Sequence, residues 1–219
     1  MLIGDTLYCA SVSEDAIAVF DSSLLLPAAV AAAIAYLVGS LSTAVIVCRL
    51  SGLPDPRTEG SKNPGATNVL RLGGKVPAAL TLLGDAVKGL LPVVIARLVF
   101  DDAPSVALVA LAAFLGHLYP VFFEFRGGKG VATALGALIG ASGTVGALAL
   151  VTWLAVSLTL RRSSLAALVT FVLVPAFLMI EGQRVFAVLF VGIAAFLFYT
   201  HRANVARLVA GTEPLIGKR

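Results

Sequence analysis

The feature that most constrains this chain is a run of thirty residues, 131–160, without one charged side chain. It is one of several apolar stretches, at about 24–48, 77–100, 105–123, 165–180 and 185–199. A span of roughly 20 apolar residues crosses the ~30 Å hydrocarbon layer as a helix. No compact soluble domain could bury so many such stretches. With 59% hydrophobic and 13% charged residues, the chain reads as an all-α, polytopic integral membrane protein.

The run 131–160 is long for one crossing and short for two. Gly140-Ala141-Ser142-Gly143-Thr144 offers a turn in its middle. Charge decides between the two. If the run crosses twice, Arg49, Arg57, Lys62, Arg71, Lys75, Arg126, Lys129, Arg161, Arg162, Arg202, Arg207, Lys218 and Arg219 fall on one face. That is thirteen of the sixteen basic residues. A single crossing moves Arg161, Arg162 and the tail to the other side. The excess of Lys and Arg on cytoplasmic loops favours two crossings. The expectation is about seven transmembrane helices, with the N-terminus outside and the C-terminus cytoplasmic. The helix near 131–140 would be only about 15 Å long at 1.5 Å per residue.

The chain then divides into an acidic extracytoplasmic tail at 1–23, a membrane domain at 24–200 and a cytoplasmic segment at 201–219. Residues 1–23 carry Asp5, Glu14, Asp15 and Asp21 and no Lys or Arg, the wrong charge for a signal-peptide start. Cys9 and Cys48 form no zinc-ligand pattern with the two histidines. The net charge of +4 speaks to orientation and to anionic lipid or phosphate, and no nucleic-acid partner is expected.

Three polar strings interrupt the apolar pattern. The first, GSKNPGATNVLR at 60–71, is too polar for lipid and too rich in turn formers for one helix. The second, FRGGKGVAT at 125–133, sets three glycines around Lys129 before a helix. Glycines let backbone approach a ligand closely, and amides with a helix start favour an anion. It is not a Walker loop: Phe123 replaces the first glycine, and Gly130 follows the lysine. The alternative is a plain turn, charged for topology. The third, HRANVARLVAGTE at 201–213, puts His201 and Asn204 on one helical face.

Asp85 and Lys88 lie three apart inside a span. Charges at that depth pair with each other or face a polar cavity. Either they hold helices together, or Lys88 reaches an anionic substrate. His117 is either a packing residue or part of the site beside the glycine loop.

Together with GDAVKG at 84–89, these strings resemble the bacterial acyl-phosphate:glycerol-3-phosphate acyltransferase (PlsY) family, over about 35–215. The resemblance implies a seven-helix enzyme of the bacterial cytoplasmic (inner) membrane with its site facing the cytoplasm. It implies transfer of an acyl chain from acyl phosphate to the 1-position of sn-glycerol 3-phosphate, giving lysophosphatidate and phosphate. Carried onto this chain, the catalytic residues are Ser61, Arg71, His201 and Asn204. Asn63, Thr67, Asn68, Lys88, His117, Gly127, Gly128, Lys129, Gly130 and Ser164 are the substrate-binding set, with Asp85 and Glu213 structural. Two departures stand out. Gly84 replaces a more usual Leu, and Arg162-Ser163 precedes Ser164 in place of an aromatic-containing spacing.

No cofactor or metal is expected. The partners expected are acyl phosphate, glycerol 3-phosphate and the bilayer; a monomer is expected, with an oligomer left open. Acyl phosphate is already activated, so the enzyme has to position a hydroxyl and stabilise an oxyanion. The base is left open among His201, His117 and a substrate phosphate, with preference for the phosphate and His201 positioning it. Neither histidine begins an HxxxxD string, since Phe122 and Ala206 occupy the fifth positions. The rival is a transporter of a small phosphorylated or anionic solute, which would show inverted repeats.

Overall fold

The computed structural model describes residues 22–216, which form helices and turns with no strand among the described residues. Most of the acidic tail, Cys9, Lys218 and Arg219 lie outside the described residues.

The first apolar stretch is two helices, α1 (Leu25–Gly39) and α2 (Thr43–Leu50), broken at Ser40-Leu41-Ser42. Ser40 Oγ donates back to the Tyr36 carbonyl at 2.8 Å, a bond that competes with the helical ladder. At the break the backbone of another helix comes very close: a Cβ on Gly116 would overlap the Tyr36 carbonyl. Short helix α3 (Ala66–Gly73) follows in the polar loop, then α4 (Lys75–Val99). The helix that carries Gly116 is α5 (Ala103–Leu118), capped by Asp102, whose side chain accepts from Ser105 N at 2.8 Å.

The thirty-residue run splits as expected, into α6 (Val131–Ala141) and α7 (Gly143–Leu160). Ser142 makes the corner. Its Oγ accepts from Val145 N at 3.1 Å and donates to Glu181 at 2.5 Å. Arg97 Nη1 donates to the Gly140 and Ala141 carbonyls at 3.2 and 2.8 Å, satisfying the open end of α6. The chain closes with α8 (Ser163–Ile180), α9 (Arg184–Thr200) and, after a 66° bend, α10 (Arg202–Val209).

Among the described residues, five helical stretches are long and apolar enough to cross a membrane, or six if the bent pair α9–α10 counts as one. Helix α6 has 11 residues, about 16 Å at 1.5 Å per residue. It packs in the middle of the bundle against α4, where Gly89 and Gly136 allow backbone contact. Phe114, Leu138, Phe171 and Phe190 fill the interior. Leu83, Leu98, Val151, Leu158 and Val188 face outward, as lipid requires.

Candidate active site

The loop after α2 is held by its own side chains. Asn68 is buried, 1% exposed, and uses both ends of its amide on backbone. Its Oδ1 accepts from Ser61 N at 2.9 Å, and its Nδ2 donates to the Pro56 and Glu59 carbonyls at 3.0 Å. Asn68 therefore shapes the loop. Ser61, Thr67 and Arg71 are exposed, and Asn63 is half-buried.

The glycine loop lies back on α5. Residues Glu124 and Phe125 turn the chain with φ of 58° and 56°, and Gly128 N donates to the His117 carbonyl at 3.3 Å. A Cβ on Gly128 would overlap the His117 imidazole and approach the Pro64 carbonyl. Gly130 has φ 90° and supplies no capping side chain to α6. The Gly128 amide is thus engaged inside the protein and is not free for an anion. Lys129 carries the positive charge of the loop.

The C-terminal string closes around that lysine. Lys129 Nζ donates to Asn204 Oδ1, and Thr200 Oγ1 donates to the Lys129 carbonyl at 3.2 Å. Asn204 Nδ2 donates to Glu213 at 2.6 Å, Ser164 Oγ to the same oxygen at 2.5 Å, and Arg207 Nε to the other at 2.7 Å. Glu213 thus joins α8, α10 and the glycine loop. Burial pushes the Glu213 carboxyl up, but the hydrogen bonds from Ser164, Asn204 and Arg207 outweigh it and hold it below the usual range. Lys129 is pushed down to about 8, mainly by burial, with Glu213 opposing and the charges of Arg207 and Arg71 adding to it.

His201 lies at the bend after α9. Its Nδ1 is 2.8 Å from the Leu197 carbonyl, which places the proton on Nδ1 and leaves Nε2 as an acceptor. Burial, then the Lys129 charge, push its pKa down to about 4, so the ring is neutral at physiological pH.

The charges inside the bundle pair off. Lys88 Nζ is 2.9 Å from Asp85 and donates to the Leu41 carbonyl at 2.7 Å, the group left open by the break between α1 and α2. His117 Nδ1 stands 3.5 Å from Asp85. All three are buried. Of the two readings of Lys88, the observed contacts are those of a helix-holding pair.

A polar pocket of about 330 Å³ is lined by Asn63, Phe125, Arg126, Gly127, Gly128, Lys129, Thr200 and Arg202, with Leu118, Tyr119 and Tyr199. An apolar groove of about 390 Å³, formed by Tyr119, Ala195, Phe196 and Tyr199, adjoins it through the two tyrosines. The arrangement suits a molecule with an anionic head and an apolar tail. The loop, the glycine string and the C-terminal string therefore meet, as their sequence grouping predicted. Ser61, Thr67 and Arg71 are exposed and do not line that pocket, while Asp85, Lys88 and His117 lie behind the glycine loop.

Sequence reasoning passed over Thr200, Arg207 and Arg202. Arg207 and Glu213 are six apart, a spacing that helical periodicity does not flag. Among the described residues, no three His, Cys, Asp or Glu side chains gather as metal ligands.

Comparison with known proteins agrees with this geometry. The glycerol-3-phosphate acyltransferase family profile matches residues 29–211. A glycerol-3-phosphate acyltransferase of Thioalkalivibrio sulfidiphilus is 54% identical over 186 residues, 84% of this chain and 92% of that one. That of Methylococcus capsulatus is 55% identical over 188 residues, 84% and 94% of the two chains. The crystal structure of PlsY, an integral membrane glycerol 3-phosphate acyltransferase, in its glycerol 3-phosphate form superposes with a TM-score of 0.84 at 38% identity, covering 87% of this chain and 96% of that one. Its lysophosphatidic acid form gives 0.81 at 37%, with the same coverage. With a charged pocket adjoining an apolar groove and these relatives over most of its length, the chain belongs to the glycerol-3-phosphate acyltransferase family.

Proposed function

We propose that this protein transfers an acyl chain from acyl phosphate to the 1-hydroxyl of sn-glycerol 3-phosphate, giving lysophosphatidate and phosphate. The observation that carries the reading is the junction at Tyr119 and Tyr199, where the Lys129 pocket adjoins the apolar groove. The pocket suits the phosphates and the groove suits the acyl chain.

In the reaction the glycerol hydroxyl oxygen attacks the acyl carbon, the bond from that carbon to the phosphate oxygen breaks, and phosphate leaves. The hydroxyl proton passes to a substrate phosphate, whose second pKa is near 6. Lys129 and Arg71 hold phosphate charge. His201 offers Nε2 to a protonated phosphate oxygen or to the hydroxyl, and so positions it. Asn204 steers Lys129, and Glu213, itself held by Ser164, steers Asn204. Asn63 and Ser61 bound the site from the loop, Thr67 shares the exposed face of α3, and Asn68 shapes their backbone. The close lie of Gly127, Gly128 and Gly130 sets the pocket floor, with His117 beneath it.

We count α6 as a seventh, short crossing, which puts the N-terminus outside and the C-terminus and the pocket in the cytoplasm. The membrane would be the bacterial inner membrane, the membrane domain 24–200 and the cytoplasmic segment 201–219, in a monomer. The lopsided distribution of Lys and Arg supports that orientation. The transporter reading finds no support in the family.

The test is an assay of the purified full chain with palmitoyl phosphate and labelled glycerol 3-phosphate, beside palmitoyl-CoA. Lysophosphatidate from acyl phosphate alone is expected. No product from either donor sinks the proposal, and product from the thioester alone replaces the donor.

A further inference from the structure

Arg57 is a half-buried cation that the mechanism above does not use. Its side chain is 16% exposed although it sits in a polar loop. Nε lies 3.1 Å from both oxygens of Asp55, and Nη2 2.8 Å from Oδ2. The Arg57 backbone N–H also donates to Asp55 Oδ1 at 2.8 Å. The remaining nitrogen, Nη1, donates to the Phe123 carbonyl at 3.4 Å and lies 3.9 Å from Glu124. The guanidinium carbon lies 5.9 Å from the Phe123 ring centre. A planar fork held on one side by a carboxylate can present its other edge in only one direction.

That direction is the root of the glycine loop. Phe123 ends a short 3-10 turn, Val121–Phe123. Glu124 and Phe125 follow it in the left-handed region, two adjacent non-glycine residues in a backbone state they disfavour. Such a turn persists when outside contacts hold it. On its other side Arg57 adjoins Pro56, whose carbonyl accepts from Asn68 on α3. A continuous chain of contacts therefore runs from α3, through Asn68, Pro56 and Arg57, to Phe123 and the glycine loop. It links the two segments that line the pocket, the polar loop through Asn63 and the glycine loop through Gly127 and Gly128.

We infer that Arg57, oriented by Asp55, is a positioning residue that clamps the polar loop to the glycine loop and so fixes the width of the phosphate pocket. The inference rests on that pocket being the glycerol 3-phosphate site. The clamp touches no substrate. Its loss lets the walls part, which weakens binding of the phosphate while leaving the reacting groups in place.

The experiment is steady-state kinetics of the purified full chain and of Arg57→Ala and Arg57→Lys, varying glycerol 3-phosphate at saturating palmitoyl phosphate. Arg57→Ala is expected to raise KM for glycerol 3-phosphate about tenfold with kcat within about threefold, the signature of lost binding geometry. Arg57→Lys keeps the charge and loses the fork, so about a threefold or larger rise in KM remains. A wild-type KM in Arg57→Ala, or full rescue by lysine, overturns the clamp. A fall confined to kcat overturns it as well. If Arg57→Ala does not yield folded protein, Arg57→Lys carries the test with the same outcomes. Failure of the wild-type protein to saturate with glycerol 3-phosphate marks failure of the pocket reading instead, and is seen before any variant is made.

Discussion

The ammonium of Lys129 donates a hydrogen bond to the side-chain oxygen of Asn204, 75 positions further along the chain. The amide can present its oxygen only because its nitrogen is held by Glu213. Glu213→Ala releases that nitrogen and leaves Ser164 and Arg207 without their acceptor. We expect kcat/KM to fall about a hundredfold, the scale of a small misplacement at a reacting centre. Glu213→Gln keeps an acceptor oxygen and should recover part of the loss. The kinetics of the two variants check this; an alanine variant with wild-type kcat/KM would remove Glu213 from the site.

Lys129 gives the enzyme an alkaline limb. Its pKa in the unliganded site is about 8, so raising the pH through that value removes the charge that attracts phosphate. The free enzyme governs kcat/KM, which should fall above about pH 8. Bound phosphate favours the charged lysine, so the fall in kcat moves to higher pH. Lys129→Arg keeps its charge throughout and should lose the limb even if it works more slowly. A pH profile of both proteins decides it; an unchanged limb in the arginine variant assigns the titration elsewhere.

His201 predicts the opposite at the acid end. With a pKa of about 4 it is a weak base, and its Nδ1 proton is committed to Leu197. The ratio of kcat/KM between the wild type and His201→Gln should be large and constant from about pH 5 to 8, because a neutral positioning group does not titrate there. A ratio that shrinks toward acid, with a midpoint near the ordinary histidine pKa of about 6.5, would identify His201 as the base.

Gly128 is needed for space. Its φ is not left-handed, but a Cβ there would strike the His117 ring and crowd the Pro64 carbonyl. Gly128→Ala should move the loop off α5 and raise KM for a phosphorylated substrate about tenfold, with the helical fold intact. An unchanged KM would return the loop to a purely topological role.

The helices were legible because lipid imposes a simple rule on length and polarity. The break at Ser142 was legible too, since small residues interrupt the run 131–160 and the basic residues gather on one face only if it crosses twice. The break at Ser40 was not, because 24–48 is long enough for one span and its Gly39, Ser40, Ser42 and Thr43 read as small residues for close helix packing. What opens it is the close backbone of Gly116 on another helix and a serine turned back on Tyr36. In the site, residue types picked out three strings that the fold brings together, but not each residue's contacts. Asn68 looks like a ligand in sequence, yet its bonds all go to loop backbone. Arg57 looks like one more loop charge, because its partners Phe123 and Glu124 lie on a distant segment. Such pairings are tertiary, and no local spacing announces them.

The pair Asp85–Lys88 carries the last prediction. Both side chains are buried, 3% and 6% exposed, and Lys88 also closes the carbonyl at Leu41. Removing one partner of a buried pair strands a charge, at about 3–5 kcal/mol. Asp85→Asn should therefore destabilise strongly. Adding Lys88→Met removes the stranded charge and should recover much of the loss. Recovery stays incomplete, since the Leu41 carbonyl then lacks its donor, worth about 1–3 kcal/mol. Denaturant or thermal unfolding in detergent micelles measures both. If the single and double variants are equally stable, the pair is not what holds α4 to the broken first span.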